Sequence, residues 1–195
     1  MDSAVPPRRG ASAGLLVTLR WAERIGWVTG GASGHAVEPD NAVMVELKPV
    51  GVVVGGRGEP VDDDWAKVGA VVRLDGSQFG PEAVAGLEEF SHLEVVYVFD
   101  RADPEATETG ARHPRGRADW PRVGIFAQRG KDRPNHLGVS RCRLLRVEGL
   151  DLYVEGLDAI DGTPVLDVKP WMAEFGARGD VRQPAWATEL MTDYY

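Results

Sequence analysis

The sequence contains few of the residues from which disulfide bridges and metal centres are built. It has one cysteine, Cys142, and four widely spaced histidines among 195 residues. A single cysteine excludes an intramolecular disulfide framework and a cysteine-based metal site, and it fits a reducing compartment. We therefore expect a cytoplasmic protein that binds no metal.

Long apolar runs and several catalytic motifs are also absent. The apolar run Gly14–Val17 is followed by Arg20 and is far shorter than the roughly 18 residues of a membrane helix. We expect neither a membrane span nor a signal peptide. The sequence has no glycine-rich strand-to-helix unit, no P-loop, no Gly-x-Ser-x-Gly and no His-Glu-x-x-His. The enzyme classes built on those motifs are excluded.

Negative charge predominates, but it is unevenly distributed. The formal net charge is −8, which by itself argues against binding of nucleic acid. Residues 112–146, however, contain ten Lys and Arg against two Asp, so that this segment carries +8 and the remainder −16. This asymmetry predicts one basic face on an acidic body. The alternative is that Asp and Glu from elsewhere in the fold neutralise the segment.

Residues 1–43 differ from the rest of the chain. They contain Pro6-Pro7-Arg8-Arg9 and repeated Gly, Ala and Ser without a sustained period. We expect an N-terminal extension that is disordered, with a weak helix near Leu15–Trp27 as the alternative. Met44 directly precedes the first patterned strand, so a native start at Met44 is a further hypothesis. Residues 44–195 are expected to form one domain.

That domain is rich in short strands. Apolar or alternating patterns predict strands at Val50–Val54, Lys67–Leu74, His92–Phe99, Val123–Gln128, Val139–Val147 and Leu150–Gly156. Helices are predicted only at Pro81–Phe90 and Pro184–Tyr194. Six or more short strands separated by turn residues indicate a mainly β, small barrel-like domain with a few short helices.

The densest cluster of functional groups follows the predicted strand Val123–Gln128. Six polar side chains stand within eight positions: Arg129, Lys131, Asp132, Arg133, Asn135 and His136. Pro134 fixes its own φ and favours an extended conformation at the preceding residue, which stiffens the loop. A rigid loop of guanidiniums and an amide suits a polyanion or a zwitterionic cofactor. A solvated surface loop is the alternative.

Three further segments are polar. The run Asp62–Asp64 is either a carboxylate cluster for a cation or amine, or a solvated turn. The nineteen residues Ala102–Trp120 are longer than a typical connection, which favours a functional loop or lid. In Leu157–Pro170, Asp161-Gly162 predicts a tight turn with carboxylates close by.

Four stretches, taken in order, resemble one family. They are Lys48-Pro-Val-Gly-Val-Val, Gly86-Leu-Glu-Glu-Phe-Ser-His-Leu, Gly124-Ile-Phe-Ala-Gln-Arg with Arg133-Pro-Asn-His-Leu-Gly, and Leu157-Asp-Ala-Ile-Asp-Gly-Thr-Pro-Val-Leu-Asp-Val-Lys-Pro. Over roughly Met44–Phe175 the sequence resembles the TsaA-like family of TrmO (YaeB)-type tRNA methyltransferases. The resemblance implies a small β-barrel enzyme that binds S-adenosyl-L-methionine and commonly forms a homodimer. Its reaction would be N6-methylation of threonylcarbamoyl-adenosine beside the tRNA anticodon.

The resemblance also implies where the cofactor binds, and the chemistry of the neighbouring loop suggests residues for the acceptor. Matching motifs place the cofactor at Asp100, Arg101, Arg129, Val139, Gly156, Leu157 and Asp158. An arginine there would pair with the cofactor carboxylate, and an aspartate with its ribose hydroxyls or amino group. Asn135 is the candidate catalytic residue, orienting the acceptor amine, with a plain turn-forming role as the alternative. Candidates for substrate binding are Lys131, Arg133 and His136.

Departures from the family pattern leave the acceptor open. His136 replaces a proline that is common in the family, and Asp100 stands where histidine is usual. The sequence ends 20 residues after Phe175, whereas longer members carry an extension implicated in tRNA handling. The leading hypothesis is a tRNA methyltransferase. The alternatives are an S-adenosyl-L-methionine-dependent methyltransferase with a small-molecule acceptor and a non-catalytic S-adenosyl-L-methionine-binding module.

Overall fold

The computed structural model describes residues 17–19 and 45–195, and the chain divides into one unit of residues 1–48 and another of residues 49–195. In the first unit, β1 (Val17–Leu19) pairs antiparallel with β2 (Val45–Leu47). The weak helix predicted near Leu15–Trp27 is therefore wrong for residues 17–19. The rest of that prediction, and the predicted disorder, concern residues outside the described ranges.

The second unit is built on a closed antiparallel barrel. Its strands in chain order are β3 (Gly51–Val54), β4 (Gly69–Leu74), β5 (His92–Val98), the short β6 (Ala111–Arg112) and β7 (Val123–Gly124), β8 (Leu137–Glu148), β9 (Asp151–Glu155) and β10 (Pro164–Pro170). The barrel order is β10-β3-β4-β9-β8-β5, while β6 and β7 form a separate pair. Closure leaves the barrel without an unpaired edge. The predicted mainly β, barrel-like fold is confirmed.

Alternate residues of the barrel strands form the core, because successive side chains of a strand point to opposite faces. Val72 of β4, Leu93 and Val95 of β5, and Leu152 and Val154 of β9 are completely buried. Each buried side chain of this size stabilises the fold by about 1.5–3 kcal/mol relative to an exposed one. The apolar residues that alternate along these strands thus form the barrel interior.

The β5–β8 pair contains one close approach. Gly138 of β8 lies opposite Tyr97 of β5, and a Cβ atom at position 138 would lie 2.3 Å from the tyrosine ring. Only glycine leaves room for that ring to pack against the β8 backbone. Tyr97 is 1% exposed, so its ring is fixed by this packing.

Two predicted elements differ from the structure. Of the strand predicted at Val123–Gln128, only Val123–Gly124 form a paired strand, and Ile125–Ala127 form a 3-10 turn. The buried Gln128 side chain donates to the carbonyls of Val123 and Arg112, which folds the chain back at this point. Two separate 3-10 helices, Pro81–Val84 and Leu87–Glu89, replace the single helix predicted there.

The 3-10 helices are separated by Gly86, whose φ of 82° lies in the left-handed region that interrupts a right-handed helix. The predicted C-terminal helix is confirmed as α1 (Ala185–Leu190). Among the described residues, no helix is long and apolar enough to cross a membrane.

The two ends of the barrel are connected differently. One end, here called the hairpin end, carries the connection of residues 75–91 and the tight β8–β9 turn at residues 149–150. The other, here called the loop end, carries the longer connections of residues 55–68, 99–136 and 156–163. Longer loops offer more functional side chains, so a site is expected at the loop end.

Candidate functional site

Asp158 lies at the loop end, where its carboxylate is held by two tyrosines. The Tyr97 hydroxyl donates to Oδ1 at 2.8 Å and to the Asp158 carbonyl oxygen at 3.1 Å. The Tyr194 hydroxyl donates to Oδ2 at 2.6 Å. A carboxylate can accept about four hydrogen bonds. Each Asp158 oxygen therefore retains capacity for a further donor.

The turn before Asp158 fixes its position. Gly156 has a φ of 82°, a conformation that favours glycine, and its amide donates to the Val68 carbonyl at 3.0 Å. Leu157 is completely buried in the barrel core. The core therefore anchors the backbone immediately before Asp158.

Arg129 and Val139 also lie together, as the resemblance implied. The Arg129 guanidinium donates from Nη2 to the Val139 carbonyl at 2.6 Å. Val139 is opposite Val96, so this contact lies next to Tyr97, the partner of Asp158. A cationic group and a carboxylate thus meet at neighbouring positions of one barrel end.

Arg101 lies at the same end but contacts a different part of the β9–β10 connection. Its Nη2 donates to the Asp161 carbonyl at 2.9 Å and its Nη1 to the Gly58 carbonyl at 3.1 Å. Asp100 is exposed at the exit of β5. Arg101 therefore braces the loop that carries Asp158.

The loop containing Asn135 adopts an unusual backbone. Asn135 and His136 have φ values of 68° and 49°, which side chains other than glycine rarely adopt. The His136 ring Nε2 lies 2.9 Å from the Thr107 hydroxyl, and the Phe99 amide donates to the His136 carbonyl at 2.8 Å. Strained positions of this kind concentrate at functional sites. Asn135 itself is exposed.

The other two predicted substrate-binding residues make contacts within their own loop. Lys131 pairs with Asp132 at 3.0 Å, and Arg133 donates to the Gln128 carbonyl at 3.1 Å. Asp132 also accepts from Arg112 at 2.8 Å, and the Glu108 amide donates to its carbonyl. These contacts attach the long loop of residues 102–120 to the loop that carries Asn135.

The charge of residues 112–146 is partly neutralised within the described part of the chain. Seven of the ten basic residues form ion pairs: Arg112, Arg115, Arg117, Lys131, Arg141, Arg143 and Arg146. Only four of these, Arg115, Arg141, Arg143 and Arg146, pair with acids outside the segment. The three that donate to backbone carbonyls instead are Arg122, Arg129 and Arg133. Neutralisation by the rest of the fold thus accounts for about half of the segment's net charge of +8.

The run Asp62–Asp64 takes part in that neutralisation. Asp63 pairs with Arg115 through two hydrogen bonds, of 2.6 and 3.0 Å. Within residues 17–19 and 45–195, no group of three or more His, Cys, Asp or Glu is placed to hold a metal ion. The aspartate run therefore contributes an ion pair and a turn.

Burial changes the protonation chemistry of the groups around Asp158. Burial first, and the Asp158 charge second, raise the pKa values of Tyr97 and Tyr194 far above the ordinary tyrosine value. The same two causes raise the pKa of the Cys142 thiol from 9.0 to about 12. At neutral pH the tyrosines are therefore hydroxyl donors, and the thiol is inert.

Sequence reasoning missed the tyrosines. Tyr97 lies in an apolar strand, where the sequence indicates a core residue; Tyr194 is the last residue of the predicted packing helix, and Tyr195 follows it. Ser140 was also missed: it is 2% exposed, and its hydroxyl has no hydrogen-bond partner among the described residues. Burial first, and the Asp158 charge second, raise the pKa of the Tyr195 hydroxyl, and the Ser140 side chain opposes this rise. A sequence alignment of homologues in which polar residues recur within core strands could reveal such positions.

The donors and acceptors at the loop end suit a zwitterionic nucleoside such as S-adenosyl-L-methionine. The Arg129 guanidinium makes no ion pair with a described residue, so its N–H donors other than the one bonded to Val139 are not occupied by a carboxylate. Asp158 supplies acceptor oxygens, and the apolar surface of Val139 is partly exposed beside them. The Arg129 guanidinium suits the carboxylate of such a cofactor, and the Asp158 carboxylate suits its amino or hydroxyl groups. The apolar surface of Val139 suits the rest of the molecule.

Comparison with known proteins agrees with this reading. Residues 57–177 match the family model of the tRNA-methyltransferase O N-terminal domain. A probable S-adenosyl-L-methionine-binding protein of Pyrococcus abyssi is 34% identical over 151 residues, which are 72% of this chain and 75% of that protein. The tRNA (adenine(37)-N6)-methyltransferase of Homo sapiens is 36% identical over 102 residues, which are 52% of this chain and 23% of that protein.

A solved structure shares the barrel. The crystal structure of TrmO from Pseudomonas aeruginosa has a TM-score of 0.56 and 28% identity, covering 70% of this chain and 60% of that chain. This chain therefore spans less than two thirds of the human and Pseudomonas aeruginosa proteins. The family match covers most of the barrel and all the predicted site residues. The chain belongs to the family of tRNA-methyltransferase O N-terminal domains.

Proposed function

We propose that this protein is an S-adenosyl-L-methionine-dependent methyltransferase that N6-methylates threonylcarbamoyl-adenosine next to the tRNA anticodon. The observation that carries the proposal is the pairing of Arg129 with Val139 beside the tyrosine-held carboxylate of Asp158. Membership of the tRNA-methyltransferase O N-terminal domain family and the name of the human relative support methylation of tRNA at an adenine N6. The name of the Pyrococcus abyssi relative supports binding of S-adenosyl-L-methionine.

In this proposal the loop end binds the cofactor by charge complementarity. Arg129 would pair with its carboxylate through the guanidinium donors that do not contact Val139. Asp158 would accept from its amino group or ribose hydroxyls, while Arg101 braces the loop beneath. The bound cofactor supplies a methyl group on a positively charged sulfur. The protein then mainly has to align the acceptor nitrogen with that methyl group.

Asn135 is proposed to orient the acceptor. Its side chain is exposed on a backbone held in the left-handed region, so its direction is set before the acceptor arrives. The amide oxygen would accept the N–H of the acceptor nitrogen and so orient that nitrogen. As the N–C bond forms and the C–S bond breaks, the proton of this N–H would leave to water, because the amide of Asn135 is not a base. His136 and its hydrogen bond to Thr107 would hold this loop in place.

The acceptor is proposed to be tRNA, which places the protein in the cytoplasm. Arg122, Arg129 and Arg133 make no ion pair within the described residues and all lie between positions 122 and 133. Phe126, between them, is 79% exposed. Exposed aromatics among arginines are typical of surfaces that contact single-stranded RNA. Lys131 and Arg133 would contact the RNA backbone near the reacting nucleoside.

A homodimer is part of the same proposal. The family resemblance suggests it, and the exposed side chain of Phe175 supplies apolar surface that a partner subunit could cover. Sedimentation velocity over a range of protein concentrations tests this directly. A single monomeric species at all concentrations would contradict it.

A small-molecule acceptor is the second candidate, favoured by the ion pairs that four basic residues of the 112–146 segment make with acids outside it. The two candidates differ in their response to salt. Binding that depends on phosphate contacts weakens steeply as salt increases. Weak, salt-independent binding of tRNA would favour the small acceptor.

The reaction is tested by incubating the full chain with S-adenosyl-L-methionine and tRNA that carries unmethylated threonylcarbamoyl-adenosine. Mass spectrometry of the digested nucleosides should show one added methyl group on that nucleoside. Arg73→Ala, which removes an exposed ion-paired arginine at the hairpin end, should leave the yield unchanged. Cofactor binding without methylation of any nucleoside would contradict the tRNA reaction.

A further inference from the structure

The segment that contains Tyr194 is fastened to the loop end at several points. The Asp64 amide donates to the Asp193 carbonyl at 2.8 Å, and the Trp65 amide donates to the Tyr194 carbonyl at 2.9 Å. Backbone hydrogen bonds on both sides of the Tyr194 α-carbon therefore set its position. Its hydroxyl reaches Asp158 from that fixed backbone.

A second attachment holds α1, which precedes Tyr194. The Trp120 indole N–H donates to the Glu189 carboxylate at 2.8 Å, and the rings of Trp120 and Trp186 lie 6.5 Å apart. Trp120 is buried. Contacts with two separate loops thus hold the segment 185–195, and the approach of Tyr194 to Asp158 does not depend on the tyrosine alone.

The two tyrosines contact different oxygens of the same carboxylate. Tyr97 donates to Oδ1 from inside the barrel, and Tyr194 donates to Oδ2 from the segment 185–195. One hydrogen bond would leave the carboxylate free to rotate about its Cβ–Cγ bond. Two, one to each oxygen, fix the plane of the carboxylate and leave the outer lone pairs pointing in defined directions.

We propose that the Tyr194 hydroxyl is a positioning group for Asp158, so that the segment 185–195 completes the cofactor site. This inference rests on the proposed function, in which Asp158 binds the amino group or ribose hydroxyls of S-adenosyl-L-methionine. Tyr194 acts through the carboxylate and need not touch the cofactor. Tyr97 performs the same task from the core, where its ring also supports the fold.

The test measures the dissociation constant for S-adenosyl-L-methionine by calorimetry in the full chain and in Tyr194→Phe. The variant loses only the hydroxyl, so its melting temperature should remain close to that of the unmodified chain. Without the Tyr194 hydroxyl, Asp158 is no longer held in the direction in which it would bind the cofactor, and loss of that charged hydrogen bond to the cofactor should lower the affinity about tenfold or more. Tyr153→Phe, which removes a tyrosine hydroxyl from a strand on the barrel surface, should bind normally.

A double-mutant cycle separates positioning from a general structural effect. If Tyr194 acts through Asp158, then Tyr194→Phe should cost no further affinity once Asp158→Asn is present. An equal loss in both backgrounds would overturn the inference. Normal binding by Tyr194→Phe together with poor binding by Asp158→Asn would also overturn the inference. That result would leave the proposed function intact. Unchanged binding by Asp158→Asn would instead remove the proposed cofactor site, and this inference with it.

Discussion

Arg129 and Asp158 at the loop end use their charges differently from the ion-paired residues at the hairpin end. At the hairpin end, Arg73 pairs with Asp151 through two 2.8 Å hydrogen bonds, and Arg146 pairs with Glu148 at 2.6 Å. At the loop end, Arg129 donates to a backbone carbonyl, and Asp158 accepts only from neutral tyrosines in the contacts described. Charges that pair with each other stabilise a surface weakly. Charges supported by neutral groups remain available to a ligand of opposite charge.

The largest difference is expected when one aspartate is neutralised at each end. Asp158→Asn should lower kcat/KM for S-adenosyl-L-methionine by about a hundredfold, because loss of a charged partner from a partly buried pair costs about 2–5 kcal/mol. Asp151→Asn should leave kcat/KM unchanged and lower the free energy of unfolding by at most about 1 kcal/mol. Steady-state kinetics and urea unfolding measure both. Equal kinetic effects would remove the distinction between the ends.

Gly51→Ala adds a methyl group near the hairpin end, and Gly138→Ala adds one near the loop end. A Cβ at position 51 would lie 2.3 Å from the Arg73 carbonyl oxygen, and one at position 138 would lie 2.3 Å from the Tyr97 ring. Gly51→Ala and Gly138→Ala should each destabilise the fold, by about 1–3 kcal/mol or more, because the core must shift. Only Gly138→Ala should also weaken cofactor binding, since it displaces the tyrosine that holds Asp158.

The binding difference is read by calorimetry at a temperature where both glycine variants remain folded. Unchanged affinity in Gly138→Ala would show that Tyr97 does not position Asp158. Weakened affinity in Gly51→Ala as well would show that any distortion of the barrel reaches the site.

The two ends should also respond to opposite extremes of pH. The Arg73 hydrogen bond lowers the pKa of Asp151, so its contribution is present above about pH 4 and is lost as pH falls below the unfolded value. Burial, and then Asp158, raise the pKa of Tyr97. Its contribution is therefore complete below about pH 10 and decreases as pH rises further, because the unfolded chain loses the proton first.

Urea unfolding between pH 9 and 12 tests the alkaline half of this comparison. Cys142, with a pKa raised from 9.0 to about 12, adds to the loss from about pH 9. The unmodified chain should lose up to about 1.4 kcal/mol per pH unit for each proton that only the folded state retains. Tyr97→Phe should show a shallower decline above pH 10, while Tyr153→Phe should not. Identical declines would show that burial of Tyr97 has no such effect.

The smallest effect is expected from single arginines that would contact tRNA. Arg122→Ala removes a guanidinium that donates to the Ala111 carbonyl, whereas Arg143→Ala removes one that pairs with Glu155 at 2.9 Å. If Arg122 contacts a phosphate, its loss should reduce the slope of log affinity against log salt by about 1. Arg143→Ala should leave the slope unchanged. Fluorescence anisotropy with labelled tRNA at several salt concentrations measures both slopes.

Local patterns were sufficient to predict most of the barrel. Strands such as His92–Val98 are visible because alternation of apolar residues is a property of neighbouring positions. The strand β10 escaped prediction because Asp167 and Lys169 interrupt its apolar pattern. The turn at Ile125–Ala127 escaped because the Gln128 side chain that bends it contacts Arg112, sixteen positions away.

The same limit applies to the site. Motif resemblance predicted Arg129, Val139 and Asp158 as cofactor-binding residues, and in the structure the first two are in contact. It could not identify the tyrosines, because Tyr97 lies 61 positions from Asp158 and Tyr194 lies 36 positions from it. The neutralisation of the basic segment was equally hidden, since Arg141 pairs with Glu94 across 47 positions. Contacts over such distances depend on the closed barrel rather than on local sequence.

Calorimetry with S-adenosyl-L-methionine on Arg129→Ala tests the central claim most directly. Arg73→Ala, at the hairpin end, is the matched control, because it also removes one exposed arginine. The account predicts that the unmodified chain and Arg73→Ala bind alike and that Arg129→Ala binds at least about tenfold more weakly, the loss expected for one charged hydrogen-bonded contact. Equal binding by Arg129→Ala and the unmodified chain would contradict the claim that the loop end binds the cofactor through Arg129.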